Sequence, residues 1–333
     1  MIVRTLRLAV SGSRGMSVLA EAREIVPGGL GLERERLRRA VFYVPCSEPR
    51  KIRKAQQSAA DCVMYDLEDG VAASCKEQAR RLLAEAAAGS RRGAEVGVRI
   101  NAIGSGLEDE DLRAALQAER LDVVLVPKVN SAADVQHVCR AIKVAGRSAV
   151  RVIASIESAR ALVNIHEIAQ ADARVDALLF AAEDYCADAG VMRTAMRREL
   201  YHARAVVTTA AHAFRLQAID MVAMDFRDAD VLREEAEEAA AMGFTGKQVI
   251  HPAQLSVVQQ CFAPSPAAVL RARRIVDGFR KSCSAGHGAF ELDGKAVDMP
   301  VVKCALRVLR RSELVDEHAF ASAVRIDTRK SDT

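Results

Sequence analysis

The stretch CVMYDLEDGVAASCKEQARRLLAEAAA, Cys62 to Ala88, carries the reading of the fold. Its first six residues, CVMYDL, are the short aliphatic run of a buried strand. Three carboxylates, Asp66, Glu68 and Asp69, follow within four residues and stop at Gly70. From Cys75 onward the chain becomes alanine-rich and charge-decorated, which is a helical pattern. One strand feeding one helix is a βα unit, and the question is how often it recurs.

It recurs eight times. The expected strands are AVFYV (40–44), CVMYDL (62–67), VGVRI (96–100), DVVLV (122–126), RVIASI (151–156), ALLFAA (177–182), AIDMV (218–222) and KQVI (247–250). Helical patterns separate them, among them 75–88, 131–145, 158–169 and 228–243. Strand–helix alternation implies parallel pairing. Eight units over about 210 residues suit a (β/α)8 TIM barrel, whose usual length is about 250. The competing open, doubly wound sheet lacks its marker, since no G-x-G-x-x-G follows the first strand and GSGLED at 104–109 has the wrong spacing.

The 333 residues are half apolar, without repeats or low-complexity blocks, so the chain can bury a large core. No apolar run approaches the roughly 20 residues of a membrane span, and no membrane partner is expected. The eight cysteines are scattered and the seven histidines form no ligand motif, which reads as reduced thiols and no zinc. The first twenty residues hold Arg4, Arg7 and Arg14, three serines and no acid, the composition of a mitochondrial transit peptide. Without those three arginines the formal charge of +4 falls to about +1, too little for a nucleic-acid footprint. The expected organisation is a transit peptide at 1–36, the barrel at 37–262, a C-terminal lid or oligomerisation extension at 263–312, and a disordered tail at 313–333. The localisation expected is the mitochondrial matrix.

Barrel enzymes build their sites at the C-terminal ends of the strands. Those ends carry Tyr43; Asp66, Glu68 and Asp69; Arg99 and Asn101; Lys128; Glu157; Glu183 and Asp184; Asp220 and Asp225; and His251. Any one of these is an ordinary loop polar group or helix cap. Taken together they mark a shared site at one mouth. Glu157 and Asp184 follow adjacent strands and can converge on one hard cation, with water and substrate oxygens completing its shell, as magnesium is commonly held. The cluster PRKIRK, Pro49 to Lys54, opens the helix after strand one; Arg50 and Lys54 lie one turn apart on one face and suit a phosphorylated ligand. A solvated helix face is the plainer meaning of such a run.

Nine segments fix a resemblance: RRAVFYVP (38–45), DLEDGVA (66–72), VRIN (98–101), PKV (127–129), IESARALVN (156–164), EDY (183–185), QAIDMVAMDFRD (217–228), AAMGFTGKQVIHPAQ (240–254) and GAFELDGKAVDMPVVKCA (288–305). In unbroken order from Arg38 to Lys303, they resemble the citrate lyase β-subunit-like group of the HpcH/HpaI aldolase superfamily. The resemblance implies a Mg2+-dependent lyase cleaving citramalyl-CoA to acetyl-CoA and pyruvate, with weak condensation of acetyl-CoA with glyoxylate, in a homotrimer. It implies that Glu157 and Asp184 bind the metal and that Tyr43, Arg50, Lys54, Ile250 and His251 contact coenzyme A. Arg99 would stabilise the enolate, Glu68 would orient Arg99 or metal-bound water, and Asp298 would be the catalytic acid/base. The chain departs from the group's pattern at Cys46-Ser47, where relatives often carry Gly-Asn or Gly-Ser, and at Ala181-Ala182, where they tend to carry Gly-Gly. A malyl-CoA preference and a catalytically idle coenzyme A-binding protein remain the alternatives.

Overall fold

A computed structural model describes residues 17–26, 29–90 and 93–328. The transit-peptide composition of the first sixteen residues therefore lies outside the described residues. Two compact units emerge: one combines the N-terminal segment to Glu35 with Pro264–Glu317, the other contains Arg36–Ala263.

The second unit is the expected barrel. Its strands are β1 (Ala40–Pro45), β2 (Cys62–Asp66), β3 (Glu95–Arg99), β4 (Val123–Val126), β5 (Arg151–Ile156), β6 (Val175–Phe180), β7 (Gln217–Asp220) and β8 (Gly246–Val249). All are parallel, each pairs with the next, and β8 closes on β1. Side chains alternate along each strand, so β-branched residues fill both the barrel interior and the layer under the helices. Val41, Met64, Leu125, Ile153, Leu179 and Ile219 form the interior cluster.

The interior is also ionic at its floor. Arg38, just before β1, is almost wholly buried and donates to Glu95 at 2.6 Å, Asp176 at 2.7 Å and Gln217 at 3.2 Å. A buried guanidinium is tolerated only with such partners. Gly246 accommodates this chain entry, because a Cβ there would lie 1.8 Å from the carbonyl oxygen of Arg38.

Strand and helix positions follow the periodicity closely, with differences at the ends. The helical pattern at 158–169 is two helices, Ala159–Val163 and Ile165–Ala169, broken at Asn164. The sixth strand begins and ends two residues earlier than expected, and a helix starts at Ala182. Alanine there has the highest helix propensity, and Glu183 and Asp184 in the first turn complement the helix dipole.

The first unit departs from the expected organisation. Helix Val18–Ile25 lies within the stretch read as transit peptide, yet Val18, Ala22, Val26 and Leu32 are buried in one cluster with Ile275, Phe279 and Leu306. Glu21, also buried, accepts from Arg273 at 2.8 Å and Arg280 at 3.0 Å. Val18, Ala22, Val26 and Leu32 therefore belong to a folded core, although they lie before the boundary expected at 36. The hairpin Phe290–Leu292 with Lys295–Val297 turns at Asp293-Gly294, both at positive φ, as the sequence predicts for a two-residue turn. The last helix runs Met299–Thr328, so the tail expected to be disordered from 313 is helical as far as the described residues extend.

Deleting residues 1–35 strips this core, whereas deleting 1–16 spares it. The longer truncation is expected to lower the first thermal transition by at least about 5 °C relative to the shorter one. Equal melting curves for the two would contradict the packing of the N-terminal segment.

Candidate active site

Asp66 ends β2 and Arg99 ends β3, and the parallel ladder places their Cα atoms opposite each other. The two-residue period that buries Cys62 and Met64 inside the barrel aims Asp66 inward as well. Its carboxylate takes Arg99 as a fork, with Nε and Nη2 each at 2.7 Å. It also accepts the main-chain N–H groups of Glu68 and Gly70, both at 2.9 Å. Gly70 is required for that approach: a Cβ on it would lie 2.3 Å from Asp66 Oδ2.

Glu68 holds the remaining terminal nitrogen, with Nη1 of Arg99 at 2.9 Å from its Oε2. The guanidinium also lies 5.0 Å from the ring centroid of Tyr43. Burial opposes the charge on Arg99, but Asp66 outweighs it and holds the guanidinium protonated. Burial pushes the Tyr43 phenol far above its ordinary range, so it stays neutral. The result is a fixed cation whose terminal nitrogens each keep a second N–H for a ligand.

A second group of acids stands beside it. Glu157, directly after β5, is buried, and its Oε1 accepts the main-chain N–H of Lys128. Burial first, then the charge of Asp184, raises its pKa to about 7. Among the described residues Glu157 has no ion-pair partner, and no group of three or more His, Cys, Asp or Glu side chains forms a metal cluster. Two carboxylates close enough to feel each other's charge, with oxygen donors only, are suited to a hard cation that takes its other ligands from water and substrate.

Lys128 ends β4 in a left-handed conformation, φ 50°. Its ammonium lies 2.7 Å from Glu68, 3.0 Å from Asp69 and 4.0 Å from Asp184. Burial would lower its pKa, but the bonds to Glu68 and Asp69 prevail and raise it.

Arg99, Asp66 and Tyr43 line a cavity of about 410 Å3 together with Ile250, His251 and Lys54. His251 stacks on Phe226 with ring centroids 4.6 Å apart. Two details differ from the sequence reading. Lys51, not Arg50, lines the cavity with Lys54; Arg50 is exposed outside the lining. Asp184, expected directly after the sixth strand, sits in the first turn of a helix. Asp298 is exposed, between the hairpin and the last helix, in the other compact unit. Sequence reasoning gave Lys51 no role, although its i,i+3 spacing from Lys54 pointed to one; Asp66 was placed in the shared site, and the alternation along β2 aims it inward.

Fold and mouth together define a (β/α)8-barrel enzyme with an ionic site at the C-terminal ends of its strands. The chain belongs to the HpcH/HpaI aldolase/citrate lyase family, whose match spans residues 39–252. Among its relatives, the mitochondrial citramalyl-CoA lyase of Rattus norvegicus is 37% identical over 84% of this chain and 87% of its own length. The Homo sapiens protein of the same name is 36% identical over the same shares. Among solved structures, CitE from Mycobacterium tuberculosis in complex with magnesium, acetoacetate and coenzyme A is similar at a TM-score of 0.69 and 35% identity. That match covers 83% of this chain and 98% of that one.

The raised Glu157 pKa has a consequence for the metal-free protein. Its folded value of about 7 lies above the ordinary 4.5, so the folded state keeps a proton that the unfolded chain releases. This group's contribution to stability therefore declines as pH rises from about 4.5 to 7 and is flat above that. Denaturant titrations across this window are expected to show a shallower decline in Glu157→Gln. An unchanged pH slope would contradict the assignment.

Proposed function

We propose that the chain is a Mg2+-dependent acyl-CoA carbon–carbon lyase that cleaves citramalyl-CoA to acetyl-CoA and pyruvate. The observation that carries this reading is Arg99, a guanidinium locked by Asp66 and Glu68 at the wall of a cavity that Lys51 and Lys54 also line. Relatives bearing the citramalyl-CoA lyase name, and a relative bound to magnesium and coenzyme A, support it.

Cleavage breaks the bond between the hydroxyl-bearing carbon and the carbon next to the thioester. The hydroxyl gives up its proton and becomes the keto group of pyruvate. The bond's electron pair moves into the thioester, whose enolate then takes a proton on carbon to become acetyl-CoA. Arg99 donates to the enolate oxygen, where charge develops only as the bond breaks, and such donors act on the rate more than on binding. Asp66 and Glu68 hold the guanidinium in place, so it needs no reorganisation during the reaction.

Lys51 and Lys54 offer point charges to the phosphates of coenzyme A, and Ile250, His251 and Tyr43 supply the walls around its acyl end. Glu157 and Asp184 would hold magnesium; the fit rests on the burial of Glu157 beside a second carboxylate without a protein cation of its own. When bound, the metal supplies Lewis acidity to the oxygens of the keto acid. Asp298 is the proposed acid/base that exchanges the proton with the substrate, on the strength of the family resemblance. Weak condensation of acetyl-CoA with glyoxylate follows as a side activity of the same residues.

The proposed location is the mitochondrion, in keeping with the arginine-rich first twenty residues and the names of the mammalian relatives. The proposed assembly is the trimer that the resemblance implies.

The test is product release by the full chain from citramalyl-CoA and malyl-CoA, with magnesium and with excess chelator. Magnesium-dependent pyruvate formation exceeding glyoxylate formation is expected. The reverse ratio would move the substrate to malyl-CoA, and silence from a folded protein that still binds coenzyme A would overturn the lyase reading. Asp298→Asn is expected to keep coenzyme A binding and lose about 100-fold or more in turnover, the usual weight of a general acid/base. Turnover at the parental rate would remove Asp298 from that role.

A further inference from the structure

Lys128 stands among four carboxylates at the barrel mouth, one of which, Glu68, it shares with Arg99. Glu68 and Asp69 come from the end of β2, Glu157 from the end of β5, and Asp184 from the helix after β6. Lys128 reaches each of them in a different way. Its ammonium bonds Glu68 and Asp69, stands 4.0 Å from Asp184, and leaves Glu157 to its own main-chain N–H. The backbone at φ 50° makes that division, sending main chain and side chain toward different acids. Glycine would adopt this conformation without the steric cost that a Cβ brings. Lysine adds the ammonium.

The electrostatics of the mouth turn on that ammonium. Asp66 matches the charge of Arg99, so magnesium would offset two of the four carboxylate charges around Lys128, and the mouth would then still repel the carboxylate of a keto acid. The half-exposed ammonium offsets one of the two charges on Glu68 and Asp69 without ligating anything itself.

We propose that Lys128 is a positioning residue that sets the charge of the proposed magnesium site: its main chain aims Glu157, while its ammonium restrains metal affinity so that an anionic keto acid can enter. This rests on the reading of Glu157 and Asp184 as metal ligands. Removing the ammonium therefore has two effects of opposite sign. The metal binds more tightly, because a neighbouring positive charge is gone. The keto acid binds more weakly, because the mouth is more negative. General damage to the site would weaken both.

The experiment titrates the full chain with Mn2+, a paramagnetic stand-in for Mg2+, by electron paramagnetic resonance, and then titrates the Mn2+-loaded protein with pyruvate. Lys128→Met is expected to bind Mn2+ about three- to tenfold more tightly and pyruvate several-fold more weakly, with the metal effect shrinking as salt is added. Lys128→Arg, which keeps the charge, is expected to stay within about twofold of the parent. Should Lys128→Met not fold, Lys128→Gly suits the backbone and reads the same loss of charge. Unchanged or weaker Mn2+ binding in the uncharged variant would overturn the proposal. Glu157→Gln separates the underlying reading: if it binds Mn2+ as the parent does, the magnesium site itself is misplaced.

Discussion

The ion pair between Asp66 and Arg99 is the constraint on which the mouth of the barrel depends. A guanidinium held this deeply cannot shed its proton and cannot remain unpaired, so its surroundings are fixed by what satisfies it. The ladder between β2 and β3 puts the two residues opposite each other. The turn after β2 then bends to deliver two main-chain N–H groups to the same carboxylate, which requires Gly70. Glu68 takes the third edge of the guanidinium and passes its other oxygen to Lys128, which links β2 to β4. A chain of charge-assisted bonds thus holds three strand ends around the space a substrate would occupy.

The floor of the barrel uses the same chemistry for a different purpose. Arg38 with Glu95, Asp176 and Gln217 spends its donors on protein and closes the N-terminal end. Along β7 and β8, Asp220 is fully buried between Arg204 and Lys247; burial pushes its carboxyl up, but Lys247 and Arg204 hold it below the ordinary value. Each charge in these clusters pairs with an opposite charge of the protein. At the mouth, Arg99 keeps donors free and, among the described residues, Glu157 has no ion-pair partner. That difference distinguishes charges that hold the fold from charges arranged to meet a ligand.

Much of this was legible in the sequence because it depends on period and type. Strands such as RVIASI are β-branched runs between helical patterns, and the observed Arg151–Ile156 coincides with the predicted one. Glu157 was legible for the same reason, as the acid directly after a strand. Asp184 was read as following the sixth strand, because an alanine-rich run gives no sharp boundary between strand and helix. Arg50 was named because it shares a helix face with Lys54, and helical spacing does not say which face meets the cavity. The burial of Val18 and Leu32 was hidden by composition: an arginine-rich, acid-free start reads as a targeting segment whatever the next residues pack against. The positive φ of Lys128 left no mark, since nothing in a lysine signals a left-handed backbone.

The measurement that bears most directly on this account is the steady-state rate of Arg99→Lys on citramalyl-CoA with saturating magnesium. Lysine keeps the charge and loses the fork that Asp66 and Glu68 grip. The account predicts a kcat reduced by about 100-fold or more with KM changed far less, the pattern of an interaction made in the transition state. A variant that folds and turns over at the parental rate would contradict it.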